Sequence, residues 1–126
     1  MYKYKFTVFT PTYNRGNTLH RVFESLVFQS FDDFEWLIID DGSSDDTAAV
    51  VSDFAKVASF PIRYYYQPNS HKFKTILKAA DLAEGELFYI VDSDDEILPD
   101  ALKILYMHWE GIPLANRQHY SGVTGL

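Results

Sequence analysis

Apolar positions along the chain switch between two spacings: short continuous runs, and longer stretches with one apolar face at helical period. Phe6-Thr7-Val8-Phe9 is a short β-rich run ending at Pro11. Leu19, Val22, Phe23, Leu26 and Val27 then fall at i, i+3, i+4, i+7 and i+8, one face of a helix. Phe34 to Ile39 reads as a second strand, closed by Asp40-Asp41-Gly42-Ser43-Ser44. Thr47, Val50, Val51, Phe54 and Ala55 repeat the helical spacing, with Ser44 or Asp45 expected as N-cap. Ile62 to Tyr66 is a third strand, stopped by Pro68. Phe73, Ile76, Leu77 and Ala80 form a third apolar stripe, with Gly85 expected as its C-terminal stop. Leu87 to Val91 reads as a fourth, buried strand. Leu98, Leu102, Leu105 and Trp109 mark a fourth helix, with Pro99 expected in its first turn.

This alternation predicts an α/β fold, a mainly parallel sheet with helices on both faces. Ligands of such sheets bind at the carboxyl ends of the strands, near the point where strand order reverses. Residues 1–109 are expected to form that domain. Residues 110–126, with weak periodicity and Gly111, Pro113, Gly122 and Gly125, read as the start of a further unit.

Three polar loops follow strands and should open on one edge: Pro11-Thr12-Tyr13, Asp40-Asp41 and Asp92-Ser93-Asp94-Asp95. Three carboxylates at the end of a buried strand repel one another and are costly to desolvate without a positive partner. A hard divalent cation, Mn2+ or Mg2+, takes oxygen ligands and shares them with phosphates. Capping of the next helix is the competing explanation, but a cap uses one acid, and three loops converging on one crevice favour the ion. Asp41 would accept from a ring N–H or a ribose hydroxyl. Tyr13 offers an aromatic face and Arg15 a cation for phosphate. Lys72 and Lys74 would assist it or form an ordinary solvated face. Neither a glycine-rich dinucleotide fingerprint nor a phosphate-cradling Gly-Lys-Ser/Thr loop is present, so a diphosphate would be held by metal and side chains. The histidines show no metal-ligand spacing.

Composition narrows the partners. At 126 residues, 47% hydrophobic and 17% aromatic, the chain supports one domain with a substantial core. A net charge of −7 argues against nucleic acid, which needs a basic face. With no cysteine, disulfides and thiolate metal sites are excluded. The first residues lack the apolar core of a signal peptide, and no apolar run approaches the ~20 residues of a membrane helix. A cytoplasmic protein without a transmembrane segment is the expectation.

Thr10-Pro11-Thr12-Tyr13-Asn14-Arg15, Ile38-Ile39-Asp40-Asp41-Gly42-Ser43-Ser44-Asp45, and Ala83-Glu84-Gly85-Glu86 leading into Val91-Asp92-Ser93-Asp94-Asp95 resemble family 2 glycosyltransferases of the GT-A fold. The resemblance runs from about Phe6 to Trp109 and specifies the α/β fold as a Rossmann-like, nucleotide-binding half. It implies a nucleotide-sugar donor, most often UDP-linked, with Mn2+ or Mg2+. Pro11 and Tyr13 would pack around base and ribose and Asp41 would bond the base. Asp92 and Asp94, with Asp95 beside them, would engage ribose and diphosphate-bound metal. Lys72 stands as counterpart of a family lysine, whereas Leu77 occupies the place of an expected asparagine.

Such enzymes also carry an acceptor-binding half whose acid serves as catalytic base in an inverting displacement. No acid here matches it, so the catalytic residue stays unassigned. The resemblance therefore implies the donor-binding portion of a metal-dependent inverting transferase, poorly active alone. The acceptor, whether glycan, lipid or another molecule, is open. The rival reading is a non-catalytic nucleotide-binding module. A phosphoacceptor signalling domain would want paired acids after the first strand, where Pro-Thr-Tyr stands. A nucleotidyltransferase would want a glycine-rich triphosphate loop. An open edge with exposed apolar surface would favour a homodimer.

Overall fold

The computed structural model describes residues 2–68 and 72–113, the side chains of Lys72 and Phe73 excepted. Its elements run β1 (Tyr4–Thr12), α1 (Leu19–Val27), β2 (Phe34–Asp40), α2 (Thr47–Val57), β3 (Ile62–Tyr66), α3 (Lys72–Leu82), β4 (Gly85–Ile90) and α4 (Ala101–Glu110). The strands form one parallel sheet in the order β3-β2-β1-β4. None of the helices among the described residues is long and apolar enough to cross a membrane.

Side-chain alternation sorts the sheet into two faces. Phe6 and Val8 of β1 and Phe34, Trp36 and Ile38 of β2 point to one side, where they meet Leu19, Val22 and Leu26 of α1, Val51 of α2 and Leu102, Leu105 and Trp109 of α4. Phe9, Leu37 and Ile39 point to the other, where Ala79, Ile76 and Leu82 of α3 cover them. Among the described residues three helices thus lie on one face and one on the other. The right-handed crossover rule accounts for this division. The chain steps outward from β1 to β2 to β3, then reverses across the sheet to β4, and the reversing helix must take the opposite face. The reversal makes the boundary between β1 and β4 a switch point.

The fourth-strand and fourth-helix boundaries depart from expectation. Gly85 does not stop α3. It opens β4, where an added Cβ would lie 2.2 Å from Thr7 N and 2.3 Å from the Phe6 carbonyl carbon. The glycine is there for close backbone approach. Pro99 precedes α4 rather than entering it, because Ser30 N takes the Pro99 carbonyl at 2.9 Å and Gln29 Nε2 takes the Leu98 carbonyl at 2.7 Å. Leu98 is consequently outside the helix and 74% exposed. Likewise β1 runs on through Pro11 to Thr12, since a missing N–H near a strand end costs one ladder bond and no more.

At the opposite edge of the sheet from the polar loops lies a buried charge network. Glu35, 1% exposed, accepts from Thr7 Oγ1, from Arg63 Nε at 2.8 Å and Nη2 at 3.1 Å, and from the Glu84 N–H at 2.8 Å. Thr7 Oγ1 accepts in turn from Gly85 N at 2.9 Å, and Arg63 Nη2 also donates to the Leu82 carbonyl at 2.6 Å. One carboxylate therefore joins β1, β2, β3 and the α3–β4 turn. Truncating one partner of such a buried pair strands the rest, at about 3–5 kcal/mol. Glu35→Ala is expected to lower the unfolding free energy by roughly 3 kcal/mol, read by urea denaturation. A loss below about 1 kcal/mol would show that the network is not what ties these elements.

Candidate functional site

The parallel register pairs Thr12 with Asp40, and Asp41 N donates to the Thr12 carbonyl at 2.9 Å. The loops after β1 and β2 therefore leave the sheet side by side, and the loop after β4 leaves on the other side of β1. A cavity of about 400 Å³ opens there, lined by Pro11, Thr12, Tyr13, Arg15, Asp41, Thr75, Asp92, Ser93 and Asp94. Pro11, Tyr13, Arg15, Asp41, Asp92 and Asp94 are thus brought together at the switch point. Asp95 is not on the lining; its Oδ1 accepts from Glu96 N at 3.1 Å. Burial first, and then the Asp95 charge, raise the Tyr89 phenol above its ordinary range. Lys72 begins α3, but its side chain lies outside the described residues, as do residues 114–126 of the expected further unit.

The loops are fixed by hydrogen bonds between them. Asn14, in the left-handed region at φ 52°, donates its N–H to Ser43 Oγ at 2.7 Å. Its Oδ1 accepts from Ser44 N at 2.8 Å and Asp45 N at 3.3 Å. Gly16 N donates to Asp45 Oδ2 at 3.1 Å, and Thr18 Oγ1 donates to the Ser93 carbonyl at 3.0 Å. The N-cap of α2 is Asp46, whose side chain makes no cap bond, and not the expected Ser44 or Asp45; Asp45 instead takes the Thr47 N–H at 3.1 Å and its hydroxyl from one residue further out. The Thr47 hydroxyl, opposed by slight burial and aided by the Gly16 and Thr47 N–H groups, holds Asp45 below the usual carboxylate range. A depressed folded-state value means that this contribution is present above about pH 4 and fades as pH falls through the lowered range.

Of the paired acids, Asp40 and Asp41 do different work. Asp40 is fully buried, accepting Ser43 N at 2.8 Å and the Tyr64 hydroxyl. Burial, then the bond to Asp40, push the Tyr64 phenol well above its ordinary range. Asp40 shapes the turn, helped by Gly42 at φ 92°, and Asp41 faces the cavity.

The cavity's charges are three carboxylates against one guanidinium. A diphosphate entering alone would meet net repulsion. The donor set suits a hard cation in chemistry, being carboxylate oxygen, and Asp92 and Asp94 are the ligands it offers. Among the described residues no three His, Cys, Asp or Glu side chains form a group able to hold an ion by themselves. Thr12 adds an observation the sequence did not signal. It is 3% exposed and lines the cavity, and its Oγ1 has no partner among the described residues. A buried hydroxyl without a protein partner on a cleft wall leaves a hydrogen bond for water or a polar ligand to make. Thr75 was missed likewise, lining the cavity from a helical position with no motif value, while Ser93 lines it within the acidic loop already expected there.

Fold and site together define an α/β protein with a polar, acid-lined cleft at its switch point, the geometry of nucleotide-binding folds. The description "Glycosyl transferase family 2" matches residues 7–125, and the chain belongs to that family. It is 38% identical over 106 residues to the GalNAc(5)-diNAcBac-PP-undecaprenol beta-1,3-glucosyltransferase of Campylobacter jejuni, covering 80% of this chain and 33% of that one. It is 34% identical over 112 residues to an uncharacterized glycosyltransferase of Mycoplasma pneumoniae, covering 86% of this chain and 37% of that one. Among solved structures, TarS 1-349 of S. aureus in complex with UDP superposes with a TM-score of 0.78 at 30% identity, covering 85% of this chain and 32% of that one. The same protein in complex with UDP-GlcNAc gives 0.75. The chain spans about a third of the length of the curated relatives it matches.

Asn14 provides a test of the loop tether. Asn14→Ala removes its carbonyl acceptor and keeps a side chain at positive φ, for an expected loss of about 2 kcal/mol. Asn14→Gly should recover roughly 1 kcal/mol of that by relieving the backbone. Chemical denaturation of both variants reads the difference, and equal losses would remove the backbone contribution.

Proposed function

We propose that this chain is the donor-binding portion of a metal-dependent, inverting glycosyltransferase using a nucleotide-sugar, UDP-linked by preference. The observation that carries the reading is the switch-point cavity, in which an aromatic, an isolated acid, an acidic pair and a buried unmatched hydroxyl share one small space. The family membership and the likeness to a protein crystallised with UDP and UDP-GlcNAc support it.

Six of the lining residues then have a task. Pro11 and Tyr13 flank the base with apolar and aromatic surface. Asp41 accepts a ring N–H, and Asp92 a ribose hydroxyl. Arg15 supplies a fixed positive charge toward the phosphates, with Lys72 as a second cation from α3. Asp94 with Asp92 would hold Mn2+ or Mg2+. When bound, the ion lowers the cost of negative charge on the departing diphosphate. In the transfer itself, an acceptor oxygen bonds to the anomeric carbon on the face opposite the leaving diphosphate oxygen, and its proton passes to a base. We assign no residue of this chain to that base or to the acceptor. The chain alone is therefore a binder of donor, and transfer needs further sequence.

Calorimetric titration with UDP, with and without Mn2+ or Mg2+, tests the site. Binding is expected to depend on the cation, and Asp94→Asn should weaken it at least about tenfold with the fold intact. A folded protein that binds no nucleoside diphosphate in a metal-dependent way would overturn the assignment. Incubation with UDP-sugars and simple acceptors should release no UDP above the uncatalysed background; metal-dependent turnover by this chain would refute the division of labour.

A further inference from the structure

Gln67 stands one residue beyond β3, behind the cavity wall, and does not line the cavity itself. Its backbone N–H prolongs the ladder by donating to the Asp40 carbonyl at 2.9 Å. Its side-chain amide lies between groups of fixed hydrogen-bonding character. Lys78 Nζ, which can only donate, is 3.1 Å from Oε1. Nε2 is 3.2 Å from Asp41 Oδ1, which can only accept, and 3.2 Å from Thr75 Oγ1. These neighbours settle which end of the amide is which, because the flipped amide would set donor against donor at Lys78 and acceptor against acceptor at Asp41.

Asp41 and Thr75 both line the cavity, from the β2–α2 turn and from α3. Thr75 is 2% exposed, and Lys78 follows it at i+3 on the same side of the helix. The amide of Gln67 thus spans the seam between the sheet edge and α3. A cation on its carbonyl oxygen polarises it and strengthens donation from its NH2 toward the carboxylate.

We propose that Gln67, oriented by Lys78, is a positioning residue for base selection. It holds the Asp41 carboxylate as a fixed acceptor at the cavity wall. A base presenting a ring N–H between two carbonyls, as uracil does, meets that acceptor with a donor. Cytosine presents a ring nitrogen lone pair at the same place and meets it with repulsion. Buried mismatches of this kind discriminate more strongly than missing apolar contact. The inference rests on the reading above that Asp41 contacts the donor base.

The test is titration of UDP and CDP, each with the same divalent cation, into the full chain and into Gln67→Glu, Gln67→Met and Asp41→Asn. Gln67→Glu keeps the shape but sets a carboxylate against Asp41. It is expected to weaken UDP roughly tenfold and to collapse the UDP-over-CDP ratio, with the thermal midpoint used to establish folding. Gln67→Met removes the amide without adding charge and should lower the same ratio by a smaller factor. It carries the test alone if Gln67→Glu fails to fold. A ratio unchanged in both folded variants, or UDP and CDP weakened equally, would reduce Gln67 to a structural residue and overturn the proposal. If Asp41→Asn still abolishes the UDP preference in that case, the donor reading stands without it. A native chain that binds neither nucleotide would overturn the donor reading, and base selection with it.

Discussion

Thr7 and Thr10 on β1 each tie a side-chain hydrogen bond to β2, Thr7 donating to Glu35 and Trp36 Nε1 donating to Thr10 Oγ1 at 2.9 Å. Odd and even positions face opposite sides of the sheet, so one bond lies on the α3 face and one on the face carrying the other three helices. A slip of one residue would break both and turn Trp36, Ile38 and Phe34 out of the larger core. Register between two strands is ordinarily set by packing alone. Here two buried polar pairs and seven consecutive buried residues on β2 fix it from both sides.

Everything at the cavity inherits that register. With Thr12 opposite Asp40, Tyr13 and Asp41 must leave adjacent strand ends. The loop after β1 then acts as the hub. Asn14 and Gly16 hold the loop after β2, and Thr18 holds the loop after β4 through the Ser93 carbonyl. The acids are placed by strand pairing and the walls by hydrogen bonds between loops. Little of the site's shape depends on apolar packing, as suits a cleft meant for a polar, charged ligand.

The sequence made legible what depends on period and on local chemistry. Four strands and four helices followed from apolar spacing, and the convergence of Tyr13, Asp41 and Asp92 followed from α/β topology. Residues whose meaning depends on a partner distant in sequence stayed hidden. Gly85 carries an ordinary helix-stop signal, and only the approach of β1 to its Cα reveals why it is glycine. Asp40 and Asp41 look alike in sequence, yet alternation buries one and presents the other. Thr12 and Gln67 have no motif value until the cavity gives one an unmatched hydroxyl and the other a carboxylate to hold. The acidic cluster was over-read in one respect, since Asp95 turns to the Glu96 N–H and does not line the cavity with Asp92 and Asp94.

The uneven helix distribution bears on how the cleft works. Three helices anchor one face through a large aromatic core, including the Phe23–Phe54 stack at 4.3 Å. Among the described residues the other face carries α3, packed through Ala79, Ile76 and Leu82 and joined to the end of β3 by Gln67. The wall carrying Thr75 is held to the sheet by Ala79 and by the Gln67 amide, so both walls of the cavity rest on buried groups. A ligand bridging the two walls would meet acids placed by strand pairing on one side and Thr75, already packed against the sheet, on the other.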